Sequence, residues 1–349
     1  MKNGIRRICG LLLAIGLAGF AGCACTPEIL PSGESTGQTL PAQSTQPVPA
    51  SQPQPTTQPV SLPTVDPSAL EQEAQALPQS GGAVSTRITV EAPGILVKSG
   101  DGAEIDYSNT TQGYVMVRFA EPCQQRLKVQ VKGPTTTYTY NLTPQQWTAF
   151  PLSDQNGTYQ IVVYRNVVDT RYAAVLSLSA EVTLEDDFAP FLHSNQYVNF
   201  DEAPNAVAKA AELTGGITEP LGKVQAVYDY VVGNVSYDYE LASSVTSGYL
   251  PELDAVLEKM SGICFDYASL MTGMLRSQGI PAKLVVGYAG DIYHAWISVW
   301  SEETGWVDGV IYFDGHAWKR MDPTFASTGG AEALDFIGNA ANYTAKYFY

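Results

Sequence analysis

The stretch that decides the fold is Ser261–Pro281, SGICFDYASLMTGMLRSQGIP. Cys264, Ala268, Met271 and Leu275 recur at helical spacing, which predicts a helix with one apolar face. Gly279 followed by Pro281 is a helix stop signal. Cys264 then falls in the first turn, where unpaired backbone N–H groups and the positive end of the helix dipole favour negative charge. Thiolates are stabilised in such settings, and a thiolate is the reactive form of cysteine. Gly262, two residues earlier, leaves room for an acyl group, and the Cys264 N–H can face a developing oxyanion. The competing reading is a buried core cysteine, a common fate of free thiols.

Working outward, residues 204–214, 219–234 and 251–260 carry helical periodicity. Downstream, AKLVVGYAG, YHAWISVW, WVDGVIYFDG and HAWKRMDPTF read as strands. Helices followed by a sheet give an α+β unit, with the Cys264 helix packed on that sheet.

An acyl-transferring thiolate needs an imidazole within hydrogen-bond reach, oriented by a third polar group. The chain holds three histidines, His193, His294 and His316. Asp322, in MDPT, is the natural orienting group. His316 precedes it by six residues, and an extended strand of that length spans ~20 Å. His294 can face Asp322 from a neighbouring antiparallel strand. Period two puts His294, Trp296, Ser298 and Trp300 on one strand face and Ala295, Ile297 and Val299 on the other. His193 reads as a hydrogen-bonded residue at a domain junction. A zinc site of Cys264, His294 and His316 is disfavoured, because no closely spaced ligand pair is present; no cofactor is expected.

Taken together, Gly262-Ile-Cys264-Phe-Asp266-Tyr267-Ala268, LRSQGIPAKLVVGY, Tyr293-His294-Ala295-Trp296, Trp306 and Asp322-Pro323-Thr324 resemble the bacterial transglutaminase-like superfamily. The resemblance covers about 200–328, and Asn234-Val-Ser-Tyr237-Asp238 matches a short Tyr-Asp element before the nucleophile. It implies a papain-like core with Cys264 as nucleophile, His294 as base and then acid, and Asp322 orienting the imidazole. Tyr237, Gly262 and Trp296 are candidates to line the oxyanion and substrate site. Asp266 reads as a structural acid in the first turn, worth ~0.3–1 kcal/mol at a helix start.

From about 84 to 187 the period is two. YVMVRF (114–119), RLKVQVK (126–132), TYTYNL (137–142), TYQIVVY (158–164) and LSLSAEVTL (176–184) predict short strands of an all-β, Ig-like sandwich. No cluster there suggests chemistry, and a scaffold role is expected. The transglutaminase-like part is expected over 200–349.

The N-terminus has a basic start (Lys2, Arg6, Arg7), an apolar run over Ile8–Phe20, and Phe20-Ala21-Gly22-Cys23. This is the build of an export signal over 1–22, and its end resembles a bacterial lipobox with Cys23 as the lipidated residue. Residues 26–80 hold eleven of the 22 prolines, no aromatic residue and no lysine or arginine. That composition predicts a disordered spacer over 23–80. The net charge is −16 with no basic run, which argues against nucleic acid or acidic lipid as partner. With Cys123 and Cys264 alone left in the folded part, no disulfide framework is expected.

The expected protein is a lipid-anchored enzyme on the outer face of the cell membrane. It would hydrolyse or transamidate amide bonds of peptides or proteins, cell-wall peptides among them. The alternative is a non-catalytic surface adhesion or assembly protein with an inactive transglutaminase-like domain.

Overall fold

The computed structural model describes residues 89–301, 305–308, 312–313, 318–319, 324, 327 and 342–349. These residues fall in one compact unit. The expected export segment 1–22, Cys23 and the spacer 23–80 lie outside the described residues, as do His316 and Asp322.

Upstream, two four-stranded antiparallel sheets form. One has the order β1 (Val97–Gly100), β2 (Ala103–Asp106), β3 (Tyr114–Phe119), β6 (Thr148–Pro151). The other has the order β5 (Thr137–Leu142), β4 (Leu127–Lys132), β7 (Gly157–Val168), β8 (Arg171–Val182). The alternation in β4 has the expected cause: Leu127, Val129 and Val131 are buried, while Lys128, Gln130 and Lys132 are half-buried. Ile105, Val117 and Phe119 of the first sheet share a core with Val129, Ile161 and Leu178 of the second. Strand β3 departs from alternation because its other face is also covered. Tyr114 and Met116 pack there with Ala149 under Val90, Ala92 and Trp147.

Helices follow: α1 (Pro204–Thr214), α2 (Pro220–Asn234), α3 (Tyr239–Ser244), α4 (Leu253–Lys259) and α5 (Cys264–Ser277). The starts of α1 and α2 carry proline at the first helical position, where its missing N–H costs nothing. Short strands β9 (Ser236–Tyr237) and β10 (Ser261–Gly262) pair in parallel just before α5. The sheet beside α5 has the order β13 (Gly305–Asp308), β12 (Ile292–Ser301), β11 (Ala282–Ala289), β16 (Tyr343–Phe348), all antiparallel. Between its edge strands in sequence, β14 (Tyr312–Phe313) pairs with β15 (Trp318–Lys319). The aromatic C-terminal segment forms the edge strand β16.

Two sequence expectations need revision. Helix α5 has no wet face: Asp266–Arg276 are buried without interruption. Helices α1, α2 and α4 pack against it, as do β11 and β12. Burying each of Leu270, Met271, Met274 and Leu275 contributes about 1.5–3 kcal/mol. Likewise His294–Val299 of β12 are all buried, so period two there separates two covered faces rather than a dry one from a wet one.

The upstream sheets and the helical part share one core. At their junction the fully buried Arg276 donates to Ala282 O (2.8 Å), His193 O (2.8 Å) and Tyr349 O (2.5 Å). Burial lowers its pKa to about 9, which leaves it charged at neutral pH. His193 is fully buried too, with Nδ1 2.9 Å from Ser194 O and Nε2 3.3 Å from Gly113 O. Rings of Tyr138 and Tyr140 from β5 pack edge-on against Tyr349.

Candidate functional site

Cys264 is the first residue of α5. It stands partly exposed, at the mouth of a helix otherwise enclosed. Three segments fix this turn. The Ile263 N–H donates to Asp266 Oδ2 at 2.8 Å, which is one arm of a capping box; Ile263 offers no side-chain acceptor for the other. The Tyr249 hydroxyl, from the loop between α3 and α4, donates to Asp266 Oδ1 at 2.7 Å. From β9, Tyr237 stands beside Gly262 in the parallel ladder, and the Asp238 N–H donates to Gly262 O at 2.9 Å.

Gly262 is required here by close approach. A Cβ at that position would lie 2.5 Å from Asp266 Cβ and 2.9 Å from its Oδ2. Asp266 is thus more than the exposed first-turn acid that its position suggests: it is fully buried. Burial raises its pKa and the nearby Asp238 carboxylate adds to the rise. The Ile263 and Tyr249 hydrogen bonds oppose it, as does Lys259.

His294 lies on β12, 5% exposed, with Gly287 of β11 as its register partner. The Trp296 indole stacks beside the imidazole at 6.3 Å between centroids and meets Tyr343 edge-on at 5.1 Å. Trp296 is therefore a packed neighbour of His294, buried to 3% exposure. Gly287 makes this possible. A Cβ there would lie 2.9 Å from Trp296 Cη2 and 2.1 Å from Thr344 O.

The immediate neighbours of Cys264 and His294 act on the same ring. Phe265 packs against Tyr197 at 5.5 Å. Burial pushes the Tyr197 phenol up, and Tyr293 adds to that rise. The segment after Asp322 also reaches α5. Ser327 Oγ donates to the Tyr267 hydroxyl at 3.1 Å, and Tyr267 donates to Val235 O at 2.7 Å. Tyr267 lies three residues after Cys264, a spacing that puts the two side by side on a helix. Thr324 is buried. Asp322 itself, like His316, is outside the described residues.

Among the described residues, no group of three or more His, Cys, Asp or Glu is gathered to hold a metal. Sequence reasoning missed Tyr249 and Gly287. Tyr249 sits in a loop with no periodicity, and Gly287 gave no signal beyond breaking an apolar run.

Comparison with known proteins gives the following. Residues 207–309 match the family model described as the transglutaminase-like superfamily. The chain is 29% identical over 183 residues to the uncharacterized protein YebA of Bacillus subtilis, covering 45% of this chain and 24% of that protein. It is 30% identical over 118 residues to the protein-glutamine gamma-glutamyltransferase of Pseudomonas aeruginosa, covering 30% and 17%. The chain thus spans less than a quarter of the length of either relative. Among solved structures, the periplasmic domain of TgpA from Pseudomonas aeruginosa aligns with a TM-score of 0.30 at 19% identity, covering 62% of this chain and 94% of that one. Red sea bream transglutaminase aligns with a TM-score of 0.26 at 12% identity, covering 60% and 47%.

Proposed function

We propose that this transglutaminase-like domain is an active thiol acyltransferase or peptidase on peptide or protein amides, with Cys264 as nucleophile, His294 as base and Asp322 as its orienting acid. The observation that carries the reading is a partly exposed cysteine at the first residue of a helix that is buried from Asp266 to Arg276. A merely structural cysteine gains nothing from that position, while a nucleophile needs both access and a fixed backbone.

In the proposed reaction His294 takes the thiol proton as the sulfur attacks the amide carbon. The carbonyl electrons move onto oxygen, toward the Cys264 N–H and the Tyr237–Gly262 edge. Collapse breaks the C–N bond, His294 returns the proton to the leaving nitrogen, and a Cys264 thioester remains. Water or an amine, deprotonated by His294, then attacks the thioester; the C–S bond breaks, the Cys264 sulfur takes back the proton from His294, and an acid or a new amide is released. Support for Asp322 comes from its chain neighbours Thr324 and Ser327, the latter bonded to Tyr267 near Cys264.

The upstream sheets serve in this proposal as an Ig-like scaffold; the support is that two antiparallel sheets, β1-β2-β3-β6 and β5-β4-β7-β8, share one core. Export and lipid anchoring at Cys23 are proposed from the N-terminal sequence alone.

The test is to incubate the full chain with a glutamine-containing peptide, with and without a primary amine, and map adducts by mass spectrometry. The expected result is an acyl adduct on Cys264 and released acid or amine conjugate. Both are lost by about 10³-fold or more in Cys264→Ala and Asp322→Ala, with His316→Ala unaffected. Turnover that survives Cys264→Ala would sink the proposal; no adduct and no turnover in the parent would favour the non-catalytic adhesion reading.

A further inference from the structure

The Tyr249 hydroxyl is a hydrogen-bond donor that the proposed triad does not use, yet it lands on the carboxylate that shapes the nucleophile's turn. Asp266 divides its two oxygens between two segments: Oδ2 takes the Ile263 N–H and Oδ1 takes Tyr249. Its methylene lies against Gly262, so the carboxylate cannot shift without moving the backbone on which Cys264 begins. The Tyr249 loop passes close to the upstream sheets. Gly248 has a φ of 96°, and a Cβ there would lie 3.0 Å from Asn141 Nδ2 of β5. The Asn141 side-chain oxygen accepts from Lys128, and the Asn141 backbone carbonyl accepts from the Gln196 side chain. Gly248 thus passes close to Asn141 of β5, and Tyr249 beside it reaches Asp266 and, through it, the residue before Cys264.

We infer that Tyr249 is a positioning residue for Cys264, acting through Asp266 to hold the nucleophile's turn and joining that turn to the loop that passes close to β5. The inference rests on the reading of Cys264 as nucleophile. The groups that act on Asp266 are Tyr249 from the loop, Asp238 at the start of α3 and Lys259 at the end of α4, with Glu252 acting on Tyr249. Cys264 and Tyr267 flank it on its own helix. Burial already raises Asp266, and Tyr249 is one of two hydrogen bonds opposing that rise. Without the hydroxyl, the carboxylate takes a proton at higher pH and its grip on the Ile263 N–H weakens as it does.

The test uses the full chain and iodoacetamide, with alkylation read separately at Cys264 and Cys123 by peptide mapping across pH. Tyr249→Phe removes one oxygen and keeps the ring. The expected result is a Cys264 rate lowered about tenfold or more, the scale of one lost hydrogen bond to a charged group. The variant's pH profile should also carry its acidic step at higher pH than the parent's, adding a fall in a range where the parent is flat. That added fall should vanish in Tyr249→Phe/Asp266→Asn, because the amide does not titrate; the double variant also answers if Tyr249→Phe alone folds poorly. Thermal unfolding is followed alongside. A lowered Tm with parental Cys264 rate and profile would overturn the inference and leave Tyr249 a packing residue. A parental Cys264 no faster than Cys123 would instead overturn the reading on which it rests.

Discussion

The upstream sheets and the α5–β12 pair bury their side chains in different ways. In β4 and β8 one face is dry and the other meets water, so apolar and polar residues alternate and the sequence displays it. In Asp266–Arg276 of α5 and His294–Val299 of β12 every residue is covered by protein, and the pattern disappears. The proposed chemistry sits where the pattern disappears. Water must be kept from most of the site for fixed dipoles to act strongly there, so enclosure and function coincide. A sequence loses its periodic signal at the place where a reader most needs it.

The sharpest way to break this comparison is at the seam between the two regions. His193 is neutral in the fold; burial, aided by the Arg276 charge, lowers its pKa from 6.5 to about 4. Between those values the unfolded chain binds a proton that the folded chain refuses. Stability is therefore full above pH 6.5 and falls as the pH drops toward 4, by about 3 kcal/mol in all. Denaturant unfolding across that range should show the loss in one transition shared by both regions, and His193→Gln should flatten it. Separate transitions, with the pH effect confined to one, would mean that the seam does not join them.

A smaller effect sharpens the contrast between covered and wet strands. Gly287→Ala forces a methyl against Thr344 O and Trp296, and should cost at least about 2 kcal/mol. Gly100→Ala in β1 meets only the end of the Leu176 side chain at 3.2 Å, and should stay within about 0.5 kcal/mol of the parent. Equal costs from the two substitutions would contradict the difference in enclosure.

Much of the fold was legible before any coordinates. YVMVRF and TYTYNL coincide with β3 and β5, and 204–214 coincides with α1. Caps and turn residues act locally, so their effects show in the local sequence. Strands β1, β2 and β6 were not read, because they are four residues long and too short to display a period. Helix α3 was missed for the same reason; Asp238 caps it by accepting the Leu241 N–H, but its six residues carry no stripe. At the proposed site, Cys264 was singled out by its place at a helix start and His294 by strand geometry. Tyr249 was not, since it reaches Asp266 from 17 residues away through a loop that passes close to β5. Contacts set by tertiary packing leave no trace at fixed spacing.

The central claim is that His294, and not His316, serves Cys264. The most direct measurement is the iodoacetamide rate at Cys264 below pH 7 in the parent, His294→Ala and His316→Ala, with Cys123 as the internal reference. The account predicts that Cys264 outpaces Cys123 in the parent, slows in His294→Ala, and keeps its rate in His316→Ala. A Cys264 rate that ignores His294→Ala, or that never exceeds the Cys123 rate, would contradict it.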